Sequence, residues 1–198
     1  MVNRTILNPY LMKLTLLFIF TLCTMTCRYG YAQEETPDLH SRVNRFSFGA
    51  SVNQQGLDWG VGLEASTPAF WNKRLSIRLK SNMNWFEVYR VERHQWTRYS
   101  IYTSLLVYNT RMMGNSRAFF EAGPFFIDPN QSFTNAKRIT GVTGDAGGEF
   151  FIVRNSRLLL SYFFSVGYAH CTAHAERLED SPSYGNGITF HNGFRVYL

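Results

Sequence analysis

The sequence predicts an all-β protein, an eight-stranded antiparallel up-and-down β-barrel of transmembrane type preceded by a signal peptide. Three observations carry that prediction. From about Val43 to Leu198, apolar and polar side chains alternate with a period of two, and no stretch keeps a helical period. Turn-rich breaks divide this region into eight segments of strand length. The connections between them alternate between short and mostly longer, as in membrane barrels whose strands run about 9 to 11 residues.

At 198 residues the chain has room for one domain with a sizeable core. Charged residues make up 17% and aromatics 16%, too aromatic for disorder and too charge-poor for a coiled coil. Residues 1–32 read as an address: Arg4 and Lys13 precede the uncharged apolar run Leu14 to Cys27, and Gly30-Tyr31-Ala32 supplies small residues where a signal peptidase cuts. The run is shorter than the roughly 18 to 20 residues of a spanning helix. A lipoprotein signal fits poorly, since Leu22 and Thr26 precede the cysteines. Cleavage leaves a short periplasmic lead, 33–42, ahead of the barrel, 43–198. It also removes Arg4, Lys13 and Arg28, lowering a formal charge of +6 to +3. With no run of basic residues and no basic aromatic stripe, nucleic acid is not an expected partner. Cys171 alone remains, so stability has to come from the sheet rather than from disulfides.

The first strand is read over Arg45 to Asn53, with Phe46, Phe48, Ala50 and Val52 on one face. The second, Leu57 to Ala65, sets Leu57, Trp59, Val61 and Leu63 against Asp58, Gly60, Gly62 and Glu64. The third, Leu75 to Trp85, sets Ile77, Leu79, Met83 and Trp85 against Ser76, Arg78, Lys80, Asn82 and Asn84. In the fourth, about Trp96 to Asn109, the better phase puts Tyr99, Ile101, Leu105 and Val107 on the apolar face opposite Arg98, Ser100 and Ser104. Arg117 to Ile127 is the fifth, and Ile139 to Ile152 the sixth, with Asp145 and Glu149 polar and Gly144, Ala146 and Gly148 leaving the other face thin. The seventh, Arg157 to His170, is apolar on both sides but aromatic enough for a strand. The eighth, Gly187 to Leu198, carries Ile188, Phe190, Phe194, Val196 and Leu198 on one face. Short connections are Gln54 to Gly56, Thr67 to Arg74, Thr110 to Ser116 and Val153 to Ser156; the longer ones are Glu87 to Gln95, Asp128 to Arg138 and Cys171 to Asn186.

In a soluble calycin-like barrel the apolar faces point inward around a ligand, whereas in a membrane barrel they point to lipid. The polar faces carry Arg45, Arg78, Lys80, Arg98 and Arg195 with Asp58, Glu64, Glu121, Asp145 and Glu149, a balance suited to a pairing network inside a lumen. Eight strands leave room only for side chains, so these charges, with Tyr102 and Phe163, are expected to plug it and to prevent diffusion. Trp59, Trp71, Trp85, Trp96, Phe70 and Tyr99 are candidates for interfacial girdles.

The terminal GFRVYL and the segments AFFEAGPFF and GDAGGEFFI resemble the strands of small outer-membrane barrels of the OmpA and OmpX type, over about 150 residues. Two departures stand out: Leu198 where Phe is usual, and Asn192 within the lipid face. The resemblance implies an outer-membrane location in a Gram-negative bacterium and a monomer. As partners it implies the lipids and lipopolysaccharide around the barrel, together with the assembly machinery, which would read the last strand.

Some barrels of this kind are lipid A deacylases with a His-x-Ser pair at a strand end. His170-Cys171-Thr172, with Glu176 nearby, resembles that spacing, with Thr for Ser and Ala173 where Asn normally follows. A metal site on His170, His174 and Glu176 is a weaker option, and no cofactor motif is present. The expectation is a non-enzymatic barrel without metal or cofactor, acting structurally or through its longer loops. A lipid A hydrolase and a calycin-like binding barrel are the alternatives.

Overall fold

The computed structural model describes residues 43–90, 93–154, 158–178 and 181–198, so the expected signal peptide and lead lie outside the described residues. Eight strands follow one another: β1 Ser47–Gln55, β2 Asp58–Ser66, β3 Leu75–Arg90, β4 Arg93–Asn109, β5 Ser116–Asp128, β6 Ile139–Arg154, β7 Leu159–Cys171 and β8 Gly187–Tyr197. Each pairs antiparallel with the next, and β8 returns to β1 from Ser47↔Tyr197 to Gln55↔Thr189. Closure leaves no sheet edge, which is how strands satisfy their backbone groups without water. The β4–β5 ladder lapses only where Ser104 and Leu105 face Gly123 and Pro124, because proline has no N–H to donate.

The alternation becomes two surfaces. Outward stand Phe48, Val61, Leu63, Leu79, Phe120, Val142, Phe164, Phe190 and Phe194, with Leu63 68% exposed. Inward stand Glu64, Arg78, Lys80, Glu121, Asp145, Glu149 and Arg195, with Glu149 and Arg195 at 0%. The molecule is therefore apolar outside and charged inside. This arrangement overturns the calycin-like alternative, which needs an apolar cavity.

The phase of β4 is the reverse of the expectation. Tyr99, Ile101, Leu105 and Val107 point inward, and Tyr102, Leu106 and Tyr108 point outward. Both faces of this strand are partly apolar, so its own pattern does not decide. The register does: Arg78 lies opposite Leu105, and an inward Arg78 brings Leu105 inward with it. Leu105 and Val107 then pack on Phe119 and Phe163. Tyr102 consequently does not fill the lumen, and Tyr99 is not a girdle residue.

The start of β1, the end of β8 and three of the connections, 67–74, 110–115 and the one that joins Arg154 to Leu159, share one end of the barrel, the short-turn end. At the opposite, long-loop end β1 and β2 meet in a tight turn. Gly56 there has φ +62, and a side chain would strike the Asn186 carbonyl oxygen at 2.4 Å. The expected long connection over Glu87 to Gln95 is instead mostly strand, since β3 and β4 continue to a final pair at Arg90↔Arg93. Polar composition suggested a loop, but a ladder held by backbone hydrogen bonds accepts polar residues. The two long loops are thus 129–138 and 172–186.

Candidate functional site

Toward the short-turn end the lumen is filled by a lattice of charges on inward positions of five strands. Arg195 of β8 donates from Nε to Glu64 Oε1 at 2.5 Å and from Nη1 to Glu149 Oε1 at 2.8 Å. Its guanidinium also lies 4.2 Å from the centroid of the Phe163 ring. Glu149 accepts further bonds from Arg117 Nε at 2.8 Å, Ser161 Oγ at 2.6 Å and Tyr197 Oη at 2.6 Å. Arg117 Nη2 in turn donates to Tyr197 Oη at 2.6 Å. A second centre is Glu121, which pairs with Arg78 Nη1 at 2.5 Å and with Lys80 Nζ. Phe119 joins the two centres, with Arg78 and Arg195 at 5.1 and 5.8 Å from its ring centroid. Gly147 makes room for that ring, since a Cβ there would lie 2.5 Å from its edge.

Midway along the lumen the groups are polar and mostly neutral. Asn84 Nδ2 donates to Asn53 Oδ1 at 2.9 Å, and Thr189 donates to Asp145. Asp145 has hydroxyl donors rather than an ion-pair partner among the described residues. Beside it lies a cavity of about 10 Å³ lined in part by Lys80, Asn82, Asp145 and His191, room for about one water molecule. Asn82 Oδ1 and His191 Nδ1 have no protein partner there, so a polar occupant of that size suits them.

At the long-loop end the closure is aromatic. Loop 172–186 folds back as a hairpin, with His174 bridged to Ser183 and Ala175 N donating to the Pro182 carbonyl at 2.9 Å. The base of its returning arm, Tyr184 and Gly185, docks on the barrel mouth. Gly185 N donates to Asp58 Oδ2 at 3.2 Å, Gln55 Nε2 donates to the Gly185 carbonyl at 2.6 Å, and Tyr99 Oη donates to the same Asp58 oxygen at 2.5 Å. Tyr184 stacks on Phe86 at 5.6 Å and meets Phe133, from loop 129–138, edge-on at 5.1 Å. Burial pushes the Tyr184 hydroxyl up to about 12. Arg177 ties the two loops, donating to the Gln131 carbonyl at 2.6 Å and to Asn135 Oδ1 at 2.8 Å.

Of the ten charges expected in the lumen, eight are buried there: Asp58, Glu64, Arg78, Lys80, Glu121, Asp145, Glu149 and Arg195. Two are corrected. Arg45 precedes β1 and is exposed, and Arg98 takes the outward phase of β4 and is exposed. Arg117 and Tyr197 belong to the lattice although neither was selected. Alternation could have found both, since Arg117 is in phase with Glu121 and Tyr197 with Arg195.

His170 and Thr172 are exposed, on the outward phase continued past β7. Glu176 accepts a backbone bond from Asn135 N at 3.3 Å and so serves the loop contact. No hydrogen bond joins these three among the described residues, so the base–nucleophile–acid chain that acyl transfer needs is not assembled here. Among the described residues no cluster of three or more His, Cys, Asp or Glu has the geometry to hold a metal ion.

Strand number, closure and the exchange of faces define a small eight-stranded barrel of outer-membrane type. The N-terminal β-barrel domain of Pseudomonas aeruginosa OprF is similar at a TM-score of 0.51 and 12% identity, covering 78% of this chain and 98% of that one. The outer membrane protein OprG from Pseudomonas aeruginosa aligns at a TM-score of 0.46 and 12% identity, over 79% of this chain and 97% of that one. At such identity the likeness to OprF is one of fold. No protein-family model and no curated protein matches the chain.

Proposed function

We propose that the chain is a non-enzymatic outer-membrane barrel whose lumen is plugged and which acts structurally or through its two long outer loops. The observation that carries this reading is the inversion of faces. An apolar exterior is costly in water and stable in lipid, and a lumen of paired charges is stable only when enclosed. In this reading the residues before Val43 carry the export signal, the short-turn end faces the periplasm, and lipids and lipopolysaccharide surround the wall. The last strand, with Ile188, Phe190, Phe194 and Leu198 outward, is the element the assembly machinery engages.

The test is expression with the native leader, followed by membrane separation and electrophoresis with and without boiling. A closed barrel resists detergent until heated, so two mobilities are expected, in the outer-membrane fraction. A soluble periplasmic protein with one mobility would overturn the proposal. Protease added to intact cells should reach Arg177, in an outer loop, before Arg111 in a short turn; the opposite order would reverse the topology.

A further inference from the structure

We infer that the short-turn end is a recognition collar for anionic phospholipid headgroups of the periplasmic leaflet. The inference rests on the membrane reading proposed above and adds a partner class to it. Its first support is charge. Arg45, Lys73 and Arg111 are exposed at this end, and Arg74 beside them donates to Tyr108 Oη at 2.9 Å. Neither of the connections 67–74 and 110–115 contains an acid. Glu64, Glu121 and Glu149, the acids of the neighbouring wall, are buried in the lumen and committed to ion pairs. The long-loop end is different in kind, because exposed Asp128 and Glu176 accompany Lys137, Arg138 and Arg177 there.

The second support is what stands beside these bases. The first two short turns carry exposed apolar side chains: Phe70 at 46%, Trp71 at 74% and Met113 at 68%. Phe70 and Trp71 adjoin Lys73 and Arg74, and Met113 lies two residues from Arg111. An apolar body at headgroup depth with a cation beside it is the pattern by which side chains hold a bilayer interface. A single turn, Trp71–Arg74, presents the first set. Trp71, Asn72 and Lys73 have φ of 32, 54 and 58, a left-handed stretch that L residues avoid. The Phe70↔Leu75 bridge closes the turn and leaves Trp71 outside. The positive φ values are those a tight hairpin closure uses, and that closure holds Trp71 and Lys73 on the exposed side of the turn.

A headgroup with a net negative charge fits this collar better than a zwitterionic one. The guanidinium and ammonium donors meet phosphate without a competing ammonium, and attraction to an anionic surface favours each base separately. Phosphatidylglycerol is the probe of choice. The mature chain is folded into vesicles of equimolar phosphatidylcholine and phosphatidylglycerol, extracted gently, and its retained lipids are weighed by native mass spectrometry. The expectation is an enrichment of phosphatidylglycerol of about threefold or more. It should collapse at high salt and in K73Q/R111Q, with the boiled and unboiled mobilities of that variant unchanged. In parallel, acyl-brominated forms of each lipid report on Trp71, isolated as the difference between the unmodified chain and Trp71→Phe. Brominated phosphatidylglycerol should quench that difference more strongly.

Equal retention of the two lipids, with Trp71 quenched alike by both, would overturn the collar and leave the membrane reading intact. Absence of quenching even in Trp71→Phe, where outward Trp59 and Trp85 remain, would instead overturn the membrane reading itself. If the acids Glu34, Glu35 and Asp38 of the chain's own lead held these bases, the preference would be absent in the unmodified chain. It would then emerge in E34Q/E35Q/D38N, and that outcome too would overturn the proposal.

Discussion

The two ends of the lumen are closed by different physics. Near the short turns the closure is a lattice of four bases and three acids, all carried by strands: Arg78, Lys80, Arg117 and Arg195 with Glu64, Glu121 and Glu149. Near the long loops it is a mainly aromatic cluster in which Phe86, Tyr99 and Phe125, with Ile127, come from strands, but Phe133 and Tyr184 come from loops. A strand-borne lattice cannot open unless the wall itself deforms. A loop-borne aromatic cover can lift while the barrel stays closed. The difference assigns rigidity to one end and local opening to the other.

The largest effect should come from the centre of the lattice. Glu149→Ala removes the shared acceptor of Arg117, Arg195, Ser161 and Tyr197 and leaves two enclosed guanidinium groups under-compensated. Breaking a buried pair in this way costs about 3 to 5 kcal/mol. Urea unfolding of the vesicle-reconstituted barrel should show the unfolding free energy fall by that amount and the midpoint shift down accordingly, with Glu121→Ala close behind. Glu176→Ala at the exposed loop should stay within about 0.5 kcal/mol. Equal, small losses for all three would mean that the charged face is hydrated, and the comparison between the ends would collapse.

A smaller global effect and a larger local one are expected for the aromatic cover. Removing Phe133 and Tyr184 together takes away the two rings that the loops contribute, each 1% exposed. Because the rings are loop-borne, the unfolding midpoint should move little, while proteolysis at Arg177 accelerates by about tenfold or more as the loops open locally. A large fall in the midpoint with no change in proteolysis would show that the cover belongs to the same cooperative unit as the lattice.

Much of this architecture was legible in the sequence, and the failures share one cause. Strand number, closure order and the outward set on β1, β2, β3 and β8 follow from alternation wherever one face is polar and the other is not, as with Arg78 and Lys80 against Ile77 and Leu79. On β4 both faces are partly apolar, so the phase was settled by pairing with β3 rather than by the strand's own pattern. Arg98 and Tyr102 were misplaced together for that reason. Arg45 failed differently: the alternation runs through it, but β1 begins at Ser47, and a period says nothing of where a ladder starts. The aromatic cover was not legible at all. Phe133 and Tyr184 are isolated rings in polar loops, and only the folded loops bring them onto Phe86.

The smallest effect sharpens the contrast most, because it changes charge while holding shape. Glu149→Gln and Asp58→Asn each replace a carboxylate by an amide of the same outline. At Glu149 both oxygens face guanidinium groups, Oε1 toward Arg195 and Oε2 toward Arg117. Whichever way the new amide turns, its NH2 meets a cation that cannot accept a hydrogen bond. At Asp58 both donors, Tyr99 Oη and Gly185 N, are neutral and converge on the single oxygen Oδ2. An asparagine that presents its carbonyl oxygen there keeps both bonds and turns its NH2 away. Asp58→Asn should therefore cost about 1 kcal/mol or less, while Glu149→Gln approaches the cost of the alanine variant. Unfolding midpoints of the two amide variants, measured side by side in the same vesicles, test this directly. If Asp58→Asn proved as damaging as Glu149→Gln, the long-loop end would depend on its charge after all, and the division of the lumen into an ionic end and an aromatic end would have to be given up.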